Sequence, residues 1–240
     1  TDGGAQLVIG GLAIQKMVGI PQLLVTLIML LCVVIINVFN VGIYGKVETV
    51  ITIFMMILFA TLSICGCSHL GELYTGAVPQ NLNSSLKSDL NWSSILSNAG
   101  AAVWFFIGFE FACPMAEENV KPYKNIPYAL IFGLLTIYLV DSLFAFAAVR
   151  YTDVNILQNS STPQLDAATA MLGKTGSVIM VCLTFFAAFT TANAYIASLP
   201  RMLYGLAREK LVPSFFAKIN SRTRTPIYGI IFTSTIIFIT

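Results

Sequence analysis

The residues best suited to chemistry lie in one stretch, Ala101-Ala-Val-Trp-Phe-Phe-Ile-Gly-Phe-Glu-Phe-Ala-Cys-Pro114, where Glu110 is the one ionisable carboxylate in an apolar run. Gly108 lowers helix preference, and Pro114 removes the N–H that would bond back to Glu110. A helix over these residues is therefore predicted to break between them. A break inside an apolar run frees N–H and C=O groups that only a cavity, a polar neighbour or a ligand can satisfy. The half-helix that resumes beyond the break points its N-terminal dipole into the gap, which suits a carboxylate or another anionic group. A Gly and Pro kink packed against its neighbours gives the same pattern without function. Glu110 favours the functional reading, because a charge held in lipid is expensive and marks a functional site.

Asp141, in Ile137-Tyr-Leu-Val-Asp-Ser142, is a second carboxylate in an apolar run. With Gly133, Thr136 and Ser142 on the same span it can act as interhelical glue or in function, and no motif decides between them. Other candidates are weaker. His69 is the only histidine and falls near the end of a span, where it reads as inert. Cys65 and Cys67 lack a partner pair at metal spacing, so no metal site is predicted. Glu117 and Glu118 read as capping and solvating a helix end with Lys121 and Lys124, a gate salt bridge to Arg201 or Arg208 being the lesser reading. No Gly-rich phosphate loop, Ser/His/Asp set or pair of catalytic carboxylates occurs, so neither an enzyme nor a cofactor is expected.

The elements that must position these groups follow from composition. Of 240 residues, 57% are hydrophobic and only 10% charged, and the mean hydropathy is +0.82. These values lie far outside the soluble globular range and predict an all-α membrane protein. A net charge of +2 offers no basic field for nucleic acid, and the apolar content excludes disorder. Most of the cysteines lie in apolar runs, where they read as small hydrophobes and report no redox compartment.

Long apolar runs satisfy their own backbone in lipid as helices. The predicted spans are 21–39, 44–67, 95–120 (broken), 127–149, 176–208 and 227–240, within a single transmembrane domain over residues 1–240. Residues 1–20 are too short and too glycine-rich to assign. The last run is shorter than the roughly 20 helical residues that cross a hydrocarbon core, and no initiator Met is present, so the chain reads as a fragment. Lys and Arg in short loops set the orientation. Lys210, Lys218, Arg222 and Arg224, with Arg201 and Arg208 just before them, are predicted to be cytoplasmic. Counting crossings backwards places Lys121, Lys124 and Lys46 inside as well, and Lys16, Lys87, Arg150 and Lys174 outside. The N-x-S/T sequons at Asn83, Asn91 and Asn159 all fall in loops assigned outside, in agreement with this topology.

The stretch ending at Pro114, with Glu117-Glu-Asn-Val-Lys-Pro-Tyr-Lys-Asn-Ile-Pro127 behind it, resembles the sixth span and following loop of the amino acid–polyamine–organocation permeases. That family commonly reads Gly-aromatic-Glu, an acidic pair, Lys-Asn-Pro and Ile-Pro. A second stretch, Ala197-Ser-Leu-Pro-Arg-Met-Leu-Tyr-Gly-Leu-Ala-Arg-Glu-Lys-Leu-Val-Pro213, followed by Phe215-Phe-Ala-Lys-Ile-Asn220 and Thr225-Pro226, resembles the end of the eighth span. The resemblance covers nearly the whole chain. It implies a polytopic helical bundle forming part of a five-plus-five inverted-repeat, LeuT-like fold, of which this chain holds the tail of one repeat and the first helices of the next. It further implies a multi-pass secondary active transporter of the plasma membrane, moving an amino acid or a related small amine by alternating access. Such a permease is coupled to H+ or Na+, or exchanges substrates. A transporter of polyamines or other organic cations, and a non-transporting sensor or subunit on the same scaffold, stay open as alternatives.

Carried over by resemblance, Trp104 and Ile107 match positions that flank the substrate side chain. Gly108 and Phe109 match the unwound backbone that touches the substrate's α-amino or α-carboxyl group. Glu110 matches an acidic position implicated in proton coupling in some members, and Tyr195 an aromatic that closes the inner side of the site. One departure stands out. Some proton-coupled members carry Lys on the fifth span in the pattern Thr-x-x-Lys, whereas Thr52-Ile-Phe-Met55 has Met here. A fixed ammonium in place of sodium is thus missing, which leaves Thr190 and Thr191 as hydroxyl ligands for an ion.

Overall fold

The structure is a computed structural model that describes residues 2–39, 41–68, 120–221, 223 and 225–239, together with 92, 93, 96, 99, 100, 103, 108, 111, 113, 114 and 116. Among the described residues all regular elements are helical: α1 (Asp2–Val18), α2 (Gln22–Phe39), α3 (Val41–Cys67), α4 (Pro122–Tyr151), α5 (Val154–Asn159), α6 (Pro163–Arg208), a 3-10 turn (Ser214–Ala217) and α7 (Ile227–Ile239). Gly45–Cys67 within α3, the whole of α4 and the whole of α6 are long and apolar enough to cross a membrane.

The ends of α2 and α3, and the start of α7, fall where the apolar runs place them. Three elements differ from expectation. Residues 1–20, unassigned by composition, contain α1. Its glycines serve packing: a Cβ on Gly10 would lie 2.6 Å from Ala188 Cβ, so the missing side chain lets α1 and α6 meet closely. α4 begins at Pro122, with Pro127 inside it, and not at Pro127. Lys121 supplies the turn into it at φ 52, and the Asn125 N–H bonds to Lys121 O at 3.0 Å, so the first turn forms upstream of the apolar run. Pro122 at the first helical position loses no hydrogen bond, since its N–H would have had no partner there.

α6 is the third difference. It begins at Pro163, well before the predicted 176, and contains a sharp break at Leu172 (φ −129, ψ 16) and Gly173 (φ 59, ψ −140). The polar first segment carries too little hydropathy to be read as a span. Gly173 occupies a backbone region that side-chain-bearing residues avoid. The chain closes tightly at this point, since a Cβ on Gly176 would come within 2.0 Å of Ala168 O. At its other end α6 finishes in a Schellman arrangement. The Leu211 N–H bonds to Leu206 O at 3.0 Å, the Lys210 N–H bonds to Ala207 O at 3.2 Å, and Lys210 itself takes φ 62.

The chain divides into two compact units, to each of which α3 and α6 contribute residues. One comprises Thr1–Ile57, Phe111–Asn119 and Val181–Thr240. Its core is built from Leu7, Met29, Val33, Ala188, Ile196 and Ile230. The other comprises Leu58–Glu110 and Val120–Met180. Its core includes Ala147, Tyr151, Ala167 and Met171, and a Cβ on Gly66 would lie 2.7 Å from Ala147 Cβ. Within this second unit Arg150 Nη1 donates to Cys67 O at 2.9 Å, which sets a cation on the negative end of α3.

Candidate functional site

The interrupted stretch has two described anchors, one in each unit. Gly108 sits in a turn at φ 109, outside the helical region and in a conformation that an L side chain rarely adopts. Trp104, Ile107, Phe109 and Glu110 lie outside the described residues. Further along, in the first unit, the Ser198 hydroxyl donates to Phe111 O at 3.1 Å. The Phe111 ring stands edge-on to Tyr195 with centroids 4.7 Å apart. The Phe111 carbonyl, next to the predicted break, thus accepts from a side chain of α6.

Tyr195 is half-buried, and its ring lies beside Gly3, where a Cβ would be 3.2 Å from Tyr195 Cδ2. Thr190 donates its hydroxyl to Ala187 O at 3.1 Å within α6, and Thr191 is half-buried. The last turns of α6 border a cavity of about 680 Å³ whose lining includes Cys113, Pro114, Arg201, Tyr204, Arg208 and Ile219. The Arg208 guanidinium lies 5.8 Å from the Tyr204 ring centre, and Arg201 donates to Ala197 O. Both cations line the cavity. Glu117 and Glu118, the alternative partners of Arg201 and Arg208, lie outside the described residues.

In the second unit Asp141 is half-buried beside a cavity of about 660 Å³ lined mainly by apolar side chains, among them Phe59, Phe144 and Leu157. Among the described residues no interhelical hydrogen bond from Asp141 is formed, so the geometry lends nothing to its reading as glue.

A polar junction that no motif singles out lies in the first unit. Asn193 on α6 is fully buried, and its Nδ2 donates to Glu48 Oε2 on α3 at 2.7 Å. Its Oδ1 accepts from Asn37 Nδ2 on α2, also at 2.7 Å. Asn37 Nδ2 also donates to Val33 O at 3.0 Å, while the buried Asn37 Oδ1 has no hydrogen-bond donor among the described residues. The signal available in the sequence was the presence of three polar side chains in apolar surroundings. Their convergence could not be read from it.

Comparison with known proteins agrees with this architecture. A family described as "Amino acid permease" matches residues 6–240. An uncharacterized amino acid permease of Bacillus subtilis, YecA, is 34% identical over 142 residues, covering 57% of this chain and 32% of its own. The glutamate/serine transporter AimA of the same organism is 28% identical over 212 residues, 85% of this chain and 37% of its own. The histidine permease HisP of Lactococcus lactis is 28% identical over 219 residues, 85% of this chain and 45% of its own. The chain therefore spans less than half the length of these relatives. With a family match over nearly its whole length and helices long and apolar enough to span lipid, this integral membrane chain belongs to the amino acid permease family.

Proposed function

We propose that the full-length protein is a secondary active amino acid transporter of the plasma membrane, working by alternating access on a five-plus-five inverted-repeat, LeuT-like fold, with residues 1–240 in a single transmembrane domain. The observation that carries this reading is the handling of backbone around the interruption. Gly108 leaves the helical region at φ 109, and Phe111 O is taken up by Ser198 of α6. A discontinuous span at membrane depth is what transporters use to expose N–H and C=O groups to a substrate.

An amino acid brings an ammonium and a carboxylate, which unwound backbone can meet, and leaves its side chain to apolar and aromatic surface. In this reading Gly108 and Phe109 offer the backbone groups, Trp104 and Ile107 flank the side chain, and Tyr195 closes the inner side. Glu110 changes protonation or hydrogen bonding during the cycle, and Thr190 and Thr191 offer hydroxyls to an ion in a sodium-linked variant. AimA and HisP are named for glutamate, serine and histidine, so these three amino acids, radiolabelled, are the first probes.

The test uses the full-length protein in proteoliposomes, with exchange and gradient-driven accumulation measured separately. Trp104→Ala should weaken substrate affinity. Glu110→Gln should depress pH-driven accumulation more than exchange. Accumulation by Glu110→Gln with the wild-type pH dependence would defeat the proton role and favour an ion at Thr190 and Thr191. Binding without exchange or accumulation in the wild type would favour a sensor on the same scaffold, and transport of polyamines but none of the amino acids would move the substrate class.

A further inference from the structure

The junction of Glu48, Asn193 and Asn37 has no part in the substrate reading, yet its hydrogen-bond inventory is unbalanced. Both hydrogens of Asn37 Nδ2 are committed, one to Val33 O and one to Asn193 Oδ1, so the orientation of that amide is set by its partners. Asn193 is set in turn, because its Oδ1 receives Asn37 and its Nδ2 gives to Glu48. The donors thus run in one direction and end at the carboxyl. One buried acceptor is left over: Asn37 Oδ1 has no donor among the described residues.

Among the described residues no ion pair of Glu48 redresses this. Facing its carboxyl from α6 is the neutral amide of Asn193, which is held in turn by the neutral amide of Asn37 on α2. On its own helix the neighbouring Lys46 is exposed. Farther along α6, Arg201 donates to Ala197 O, a carbonyl of its own helix. Glu48 is therefore a half-buried acid within an apolar helix, held by a neutral group at the end of a chain of donors. A proton added to it removes the charge and supplies a donor to a cluster that holds an unmet acceptor. When the proton leaves, the Asn193 N–H remains to steady the anion through a charge-assisted hydrogen bond. The same geometry serves both forms.

We propose that Glu48 is a proton-binding site of the transport cycle, with Asn193 and Asn37 as positioning residues that hold its carboxyl between α3, α6 and α2. This rests on the transport reading above and adds to it a site separate from Glu110. The step is a plain protonation. A carboxylate oxygen takes a proton from water on one side of the membrane, and the carboxyl returns it to water on the other. No other bond forms or breaks.

The experiment uses the full-length protein in proteoliposomes with the three labelled amino acids named above. For wild type and Glu48→Gln, exchange at equal pH and accumulation driven by an imposed pH gradient are each measured. Gln keeps an oxygen for the Asn193 N–H but cannot titrate. The expected result is a loss of pH-driven accumulation that is larger than any loss of exchange. An unchanged ratio of the two overturns the proposal, as does a wild type that transports with no response to pH. A wild type that does not transport at all overturns the transport reading instead.

If Glu48→Gln does not fold, wild-type protein treated with dicyclohexylcarbodiimide decides the matter, because this reagent attacks protonated carboxyls in apolar surroundings. Modification of Glu48, mapped by mass spectrometry and declining as pH rises, supports the site. Failure to modify Glu48 at any pH overturns it.

Discussion

Replacing Asn193 by Ala should be among the most damaging single changes in the first unit, and replacing Asn37 by Ala milder, although the two residues share a hydrogen bond. Asn193 is fully buried and serves two partners at 2.7 Å, one on α2 and one on α3. Interhelical hydrogen bonds in membranes average about 0.6 kcal/mol, with a maximum near 1.7. Stranding a buried polar group costs about 1–3 kcal/mol more. Asn193→Ala loses both bonds and leaves the Glu48 carboxyl without its amide, so about 2–4 kcal/mol is expected. Asn37→Ala loses the shared bond and strands the buried Asn193 Oδ1, but it also removes the orphaned Asn37 Oδ1, so a smaller net loss of about 0–2 kcal/mol is expected. Thermal unfolding of the purified full-length protein in detergent reads the difference. Asn193→Ala should lower the midpoint by on the order of 5 °C, and Asn37→Ala by less. Equal losses, or the reverse order, would refute the inventory on which the junction is argued.

Gly173→Ala should strain the break in α6, because φ 59 with ψ −140 is open to glycine and costly for alanine by about 1–3 kcal/mol. Faster amide hydrogen exchange over 163–176, with 181–208 unaffected, is the expected signature; unchanged exchange at the break would show that the strain is absent. The orientation set by Lys and Arg is checked with single cysteines at Asn91 and at the exposed Lys218. Impermeant thiol reagent should reach them from opposite sides of sealed cells, and labelling of both from one side would reverse the crossing count.

Hydropathy alone delimited much of this protein, and the reason is that lipid offers the backbone no partner. An apolar run satisfies its own backbone as a helix, so the apolar stretches at 21–39, 44–67 and 227–240 coincide with α2, the end of α3 and the start of α7, of which α2 and α7 are shorter than a candidate span. Glycine and proline mark helix breaks unevenly, since Pro127 and Pro200 lie inside helices while α6 breaks at Leu172 and Gly173. A glycine outside helical φ, Gly108 at φ 109, does occur within the stretch read as broken. The polar start of α6 and the glycine-rich α1 were not legible, because they are held by contacts and not by hydropathy. Gly10 against Ala188 is one such contact.

The junction shows the limit most clearly. Asn193 meets Asn37 across 156 residues and Glu48 across 145. In the sequence Glu48 lies between Lys46 and Thr49, and Asn193 just after Thr190 and Thr191, with nothing local to pair the three. Ser198 likewise reaches Phe111 O across 87 residues. Burial in lipid dictates that each such group must find a partner, but the choice of partner depends on which helix faces meet, and that is settled by close packing of side chains in three dimensions.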